Sequence, residues 1–198
     1  AKAMQALDAQ PIQDRTSWKF LGAMHGFHPQ LWLNENLIKA NTPIPADLTN
    51  KTYGNQCQHG SWYFLSWHRA YLFSFEAIVA AKVKELTGDD WTLPYWNYLN
   101  SSDPKALYLP EAFVEKTLPD GSPNPLCKYP RRPGIKAIKP GGGFSLEAME
   151  ENDFIVGNGN LGFGGGITGD FVQFADITGE LESNPHNTVH GLVGGYMG

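Results

Sequence analysis

Cys57-Gln58-His59-Gly60, followed by Phe64-Leu65-Ser66-Trp67-His68-Arg69-Ala70-Tyr71 and running on to Glu76, is the stretch that decides the fold of this 198-residue chain. From it onward Tyr71, Leu72, Phe75, Ile78, Val79, Val83 and Leu86 recur at three- and four-residue intervals, the spacing of one helix face. This predicts a helix over residues 62–86, stopped by Gly88, a residue free to take the left-handed conformation that ends helices. His59 and His68 stand nine residues apart, and nine residues of continuous helix rotate a side chain by about half a turn. The two can face one ion only if His59 sits in the loop ahead of the helix and His68 on its first turns.

Working outward, all six histidines fall into three neighbourhoods, His25/His28, His59/His68 and His186/His190. Imidazole suits copper well, and histidines grouped in this way usually converge on a site. Thr16 or Ser17 can cap a helix through Trp18, Phe20, Leu21 and Met24 that carries His25 near its end. His25 from a helix end, His59 from a loop and His68 from a helix would make a trigonal set for one copper. His186 and His190, four apart, share one face of a helix expected to begin near Pro185. Taken alone, such a pair is equally a pair of surface histidines.

The remaining elements follow from punctuation. Residues up to Ala9 are weakly helical, with Pro11 and Asp14 breaking the run. Residues 29–58 are loop-like, with a short helical turn expected around 33–40. Trp91–Tyr98 is a short aromatic segment, and prolines and glycines make 101–140 a long surface excursion with brief turns such as 110–116. Glycine dominates 141–143 and 157–169, interleaved with Phe144, Phe154, Phe163 and Phe171, which predicts an ordered loop. No alternation of strands is evident, so the fold class is mainly α.

Composition narrows the function. Hydrophobic residues at 41% and charged ones at 18% describe one globular domain rather than a disordered or membrane-embedded chain. No apolar run approaches the roughly 20 residues of a membrane helix, so no membrane association is expected. A net charge of −5 without a basic stripe argues against a nucleic-acid partner. Aromatics at 13%, six of them tryptophan, suit a core packed around a cofactor. No signal peptide is visible and the first residue is not methionine, as in a mature product or an excerpt; the compartment stays open.

Rival motifs fail on context. A zinc hydrolase of the His-Glu-x-x-His type needs glutamate where Asn187 stands. Gly157-Asn158-Gly159-Asn160-Leu161-Gly162 matches a dinucleotide fingerprint, with Glu182 a suitable distance on. Yet Gly164-Gly165-Gly166 replaces the helix that should follow, and no βαβ unit surrounds it. Asn50-Lys51-Thr52 and Asn100-Ser101-Ser102 are glycosylation acceptor triplets of a kind that arises by chance. Cys57 and Cys127 could pair, but two distant cysteines make no disulfide framework.

His59-Gly60 with Phe64–Tyr71, Phe75 and Glu76 resembles the first copper motif, copper A, of tyrosinases and catechol oxidases. Leu93-Pro94-Tyr95-Trp96 is similar to that family's next signature. Pro185-His186-Asn187-Thr188-Val189-His190 with Gly194-Gly195 resembles the opening of the second motif, copper B. The three motifs keep the family's order and span nearly the whole chain. Ser66 stands where proline is common, and Asn97 where aspartate often follows.

The resemblance implies a helical bundle around a dinuclear centre of two copper ions, with long irregular loops. It implies His25, His59 and His68 as ligands of the first copper, and His186 and His190 as ligands of the second. His25 is preferred to His28 because Ala23-Met24-His25-Gly26 is similar to the family's Ile-His-Gly segment. Cys57, two before His59, matches the cysteine that in fungal-type members forms a thioether to the histidine ring; the bland alternative is a buried apolar cysteine. Glu182 and Asn187 resemble the pair that holds a water able to deprotonate a phenol, which otherwise ionises near pH 10. Against this, a carboxylate at a helix start and a solvated early-turn asparagine need no such role. Gly191 would leave the mouth of the substrate site open. Arg69 and Glu76 read as a buried or half-buried pair positioning the helix.

The implied activity is that of a type 3 copper oxidase, a monooxygenase and oxidase using O2 on phenolic or catecholic small molecules. It would hydroxylate monophenols to o-diphenols and oxidise these to o-quinones, as tyrosinases do. Catechol oxidase or o-aminophenol oxidase activity without hydroxylation is one alternative, a haemocyanin-like O2 carrier a second, and a copper-free scaffold a third. A C-terminal lid or a caddie partner is common in such enzymes. Residues 1–198 read as one central copper-binding domain, incomplete at both ends. The family's sixth ligand belongs to a His-His-x-x-x-Asp-Arg-like segment after Gly194-Gly195, so the natural protein is expected to continue past Gly198.

Overall fold

The computed structural model describes residues 1–127, 131, 135–138, 143–157 and 159–195. Gly141, Gly142 and Asn158, which belong to the glycine-rich stretches noted above, lie outside the described residues. Contacts gather the chain into two compact units, one of residues 2–92 with 168–176, the other of residue 1 with 93–167 and 177–198.

The first unit is helical, with α1 (Lys2–Ala9), α2 (Trp18–His25), α3 (Pro29–Asn34), α4 (Ala46–Thr49) and α5 (Tyr63–Thr87). α1 packs on α2 and α5 and buries Ala3 and Leu7. α2 starts where the fully buried Ser17 hydroxyl accepts the Phe20 N–H at 3.0 Å, satisfying a donor the helix start would orphan. It buries Phe20, Leu21 and Ala23 and ends on His25. Phe20 and Ala23 join Ile12, Phe27, Trp32, Ile38 and Leu48 in one core cluster. Each large apolar side chain so buried contributes about 1.5–3 kcal/mol, so His25 rides on a firmly anchored helix.

The turn expected around 33–40 falls earlier, as α3, Pro29–Asn34. Proline favours the first helical position, where its missing N–H costs nothing and its fixed φ fits. Asn36, at φ 58°, has already left the helix, a conformation asparagine tolerates.

α5 forms where the periodicity placed it, and Gly88 at φ 78° closes it with its N–H on the Lys84 carbonyl at 3.0 Å. Its apolar face is only partly covered: Phe64 and Val79 are buried, whereas Leu72, Phe73 and Leu86 are exposed. The expected Arg69–Glu76 pair does not form. Arg69 is exposed, Glu76 is half-buried, and the ion pairs along this helix are Lys82–Glu85 at 2.6 Å and Lys84–Asp90 at 2.9 Å. At i and i+7 on a helix the two side chains stand two turns apart, beyond easy reach of each other.

The second unit is mostly irregular, and among its described residues only isolated bridges such as Tyr108↔Ala137 replace strands. Buried Asn124 ties its loops, donating to the Ala112 and Glu115 carbonyls at 2.9 and 2.8 Å and accepting from the Leu126 N–H at 3.0 Å. The turn expected over 110–116 is a single tight one, Glu111–Phe113. Toward its end a wide turn, Glu182–Asn187, is interrupted by Asn184 in an extended conformation and leads into α6, Thr188–Val193. His190 therefore sits on α6 and His186 on the turn before it. Among the described residues no helix is long and apolar enough to cross a membrane.

Candidate metal centre

Three histidines of the first unit converge. The His25 ring centroid lies 5.8 Å from that of His59 and 5.8 Å from that of His68, and the latter two are 5.3 Å apart. Their planes are inclined by 66–76°, so the rings turn edges rather than faces to one another. One ligand atom from each, together with Cys57 Sγ, all lie within 4.8 Å of one another.

Each histidine is placed by a different device. His25 is the last residue of α2, aligned by the core and the Ser17 cap. His68, on the second turn of α5, has Nδ1 2.7 Å from the Phe64 carbonyl. A carbonyl only accepts, so Nδ1 carries the proton and Nε2 keeps its lone pair, the tautomer a metal requires. His59 precedes α5, as the nine-residue spacing demanded, and is clamped from a distant part of the chain. Its N–H donates to the Gln173 carbonyl at 3.0 Å, and its carbonyl accepts the Ala175 N–H at 2.8 Å. Gly60 makes this approach possible: it sits at φ +67°, and a Cβ there would lie 2.2 Å from the Ala175 carbonyl oxygen. Gln173 also donates through Nε2 to the His25 carbonyl at 3.1 Å.

Cys57 is fully buried within this group. Its Sγ stands 3.5 and 3.7 Å from the two ring nitrogens of His59 and 3.3 Å from Nε2 of His68. Cys127, the other cysteine, directs its thiol at the Val114 carbonyl at 3.7 Å. Around the group, Trp67 stacks on Tyr71 at 5.0 Å and 12°, and the Tyr71 hydroxyl donates to the Leu21 carbonyl at 2.8 Å. Burial, with a smaller contribution from the Cys57 charge, pushes the Tyr71 hydroxyl up to about 12, so it is a fixed donor at neutral pH.

Three imidazoles with a fixed tautomer on one of them fit copper, and zinc equally; a thiol beside them makes the set softer. His28, by contrast, is exposed at the start of α3 and stands apart from the group. Gln173, Ala175 and the Phe64 carbonyl, which position these histidines, carry no local sequence signal.

In the second unit His186 and His190 lie side by side, their ring centroids 4.3 Å apart and their planes tilted by 53°. Nδ1 of His186 lies 2.9 Å from Asn187 Oδ1. With the amide oxygen accepting, this bond again protonates Nδ1 and leaves Nε2 for a metal. Glu182 is buried, at 3% exposure, although carboxylates are rarely so unless engaged. Asn187 and Gly191 are exposed, and nothing lies within 4 Å of where a Cβ on Gly191 would stand.

Residues 15–150 match the family model for the common central domain of tyrosinase. A tyrosinase from Hahella sp. is 37% identical, over 100% of this chain and 44% of its own length. A tyrosinase from Aspergillus oryzae is 36% identical over 39% of this chain and 13% of its own length. A solved tyrosinase structure from Burkholderia thailandensis aligns with 75% of this chain and 30% of that one at 20% identity and a TM-score of 0.42. The chain thus spans less than half the length of the Hahella relative.

Proposed function

The chain belongs to the tyrosinase family, and on that premise we propose that it is the copper-binding core of a type 3 copper oxidase acting on phenols and catechols. His25, His59 and His68 hold one copper, and His186 and His190 supply two ligands to a second. The bound copper pair supplies the O2 chemistry, in which an o-diphenol loses two electrons and two protons to give an o-quinone, and a monophenol gains one oxygen atom to give the o-diphenol.

The observation that supports this reading best is the convergence of His25, His59 and His68 with the Nε2 lone pair of His68 kept free by the Phe64 carbonyl. The protein's own work is orientation and proton handling. The backbone clamp on His59 and the anchored α2 hold the imidazoles at their stations, so little reorganisation accompanies metal binding. Glu182, with Asn187 one residue after His186, holds a water that takes the proton from an incoming monophenol. The burial of Glu182, at 3% exposure, favours this role, because carboxylates are rarely so withdrawn unless engaged. The small Gly191 leaves room for the phenol ring. Cys57 forms a thioether to a ring carbon of His59, the two displaced hydrogens leaving as two protons and two electrons that pass to O2. That bond would fix a ligand which no helix holds. Peptide mapping of the aerobically copper-loaded protein would show it as a cross-linked peptide lacking two hydrogens; a fully titratable Cys57 thiol would exclude it.

Copper-loaded full-length protein is expected to oxidise a catechol directly and L-tyrosine after a lag. Catechol oxidation with no tyrosine hydroxylation at full copper loading would reduce the reading to a catechol or o-aminophenol oxidase. Reversible oxygenation without quinone formation would make the protein an O2 carrier.

A further inference from the structure

We propose that Phe174 is a wall of the phenol-binding site: its ring is fixed beside the copper ligand His59 and offers its free face to the substrate ring. This rests on the reading above, that the histidine group holds copper and takes phenols.

Residues 168–176 belong to the first unit although Thr168 stands 106 positions along the chain from Trp62, which it meets. They are pinned at several points: the Trp62 indole N–H donates to the Thr168 carbonyl at 3.2 Å, and Phe171 meets Tyr63 edge-on at 5.4 Å. The backbone bonds of His59 to Gln173 and Ala175 bracket Phe174 on both sides, and the Gln173 amide reaches the His25 carbonyl. A backbone so bracketed has little freedom to move away from His59.

Its ring lies nearly parallel to the His59 imidazole, at 15° with centroids 5.3 Å apart. At that separation two parallel rings are offset rather than face to face, the preferred arrangement of aromatic pairs. Despite the stack, Phe174 is 71% exposed, and Phe171 and Val172 beside it are exposed as well. An aromatic ring carried on a pinned backbone that leaves most of its surface in water is a poor use of apolar area unless a ligand covers it. Merely shielding His59 would be served as well by any apolar side chain. A flat ring, offset and parallel to a metal ligand, presents to an incoming phenol the face that best matches a second flat ring. The chemical class it selects is a phenol or catechol with its aromatic face free of bulky substituents.

The test is anaerobic titration of the copper-loaded full-length protein with 4-nitrocatechol, followed by its absorbance shift, in wild type, Phe174→Ala, Phe174→Leu and Phe174→Tyr. Loss of an aromatic pair should weaken binding about three- to tenfold in the Ala and Leu variants, with Tyr staying within about twofold of wild type. The Ala and Leu variants should raise KM for catechol, with the copper content near wild type and the loss falling on KM rather than kcat. Wild-type binding by Phe174→Leu would overturn the proposal, because bulk and not an aromatic face would then suffice. Lost copper in all three variants would also overturn it, making the ring a support for His59 alone. Failure of the wild-type protein to bind copper or 4-nitrocatechol would instead strike at the functional reading, and the inference would fall with it.

Discussion

Replacing Gly60 by alanine perturbs the first histidine group without touching any ligand. Two costs can be worked from the structure. The residue sits at φ +67°, and placing a non-glycine residue in the left-handed region costs about 1–2 kcal/mol. The added Cβ would then lie 2.2 Å from the Ala175 carbonyl oxygen, where a carbon and an oxygen ordinarily keep about 3.3 Å. Backbone must therefore give way by about 1 Å, which strains or breaks the His59–Gln173 and Ala175–His59 bonds, each contributing about 1 kcal/mol net. The expected loss is about 3 kcal/mol or more in urea unfolding, a large share of the 5–15 kcal/mol typical of a domain. Gly88→Ala is the matched control, since Gly88 has φ +78° but a Cβ there would meet nothing within 4 Å, and it should lose only that conformational cost of about 1–2 kcal/mol. Copper affinity should fall about 10- to 100-fold in Gly60→Ala, as for loss of other outer-shell support, and stay unchanged in Gly88→Ala. Equal destabilisation by the two substitutions would refute the claim that residues 173–175 clamp His59.

Ser17→Ala should cost about 1 kcal/mol in urea unfolding by orphaning the Phe20 N–H, and loosen copper at His25; an unchanged midpoint would deny the cap its role. Asp14 accepts the backbone N–H of Thr16 and then its hydroxyl, at 2.8 and 2.7 Å, and both hold its carboxyl below the ordinary value of 3.8. A depressed folded value means that its small stabilisation is present above pH 3.8 and is lost as pH falls through the folded value. Carbon-detected NMR titration should find that low value in wild type, and Thr16→Val should raise it toward 3.8; no change would show the hydroxyl bond to be absent.

What the sequence carried was local or periodic. α5 and its Gly88 stop follow from spacing and from one residue's conformational freedom, and the separation of His59 from His68 already required a loop ligand before a helical one. The Ser17 cap was readable for the same reason. α3 was misplaced because its hydrophobic residues Leu31, Trp32 and Leu33 are too few to show a period, and the decisive signal was Pro29 at the first helical position. The partial exposure of α5 was invisible, since periodicity shows which face is apolar and not whether this chain covers it. Least legible was the clamp. Gln173, Phe174 and Ala175 meet His59 across more than a hundred residues through backbone bonds, which any residue but proline can make, so no side-chain pattern announces it.

The most direct test of the account is copper bound per chain, measured by mass spectrometry on full-length protein after reconstitution and removal of free metal. Wild type should hold two copper ions, and His25, His59 and His68 replaced together by alanine should abolish copper binding at the first group and with it catechol oxidation. Copper content at the wild-type level in that triple variant would contradict the assignment of the three histidines as ligands.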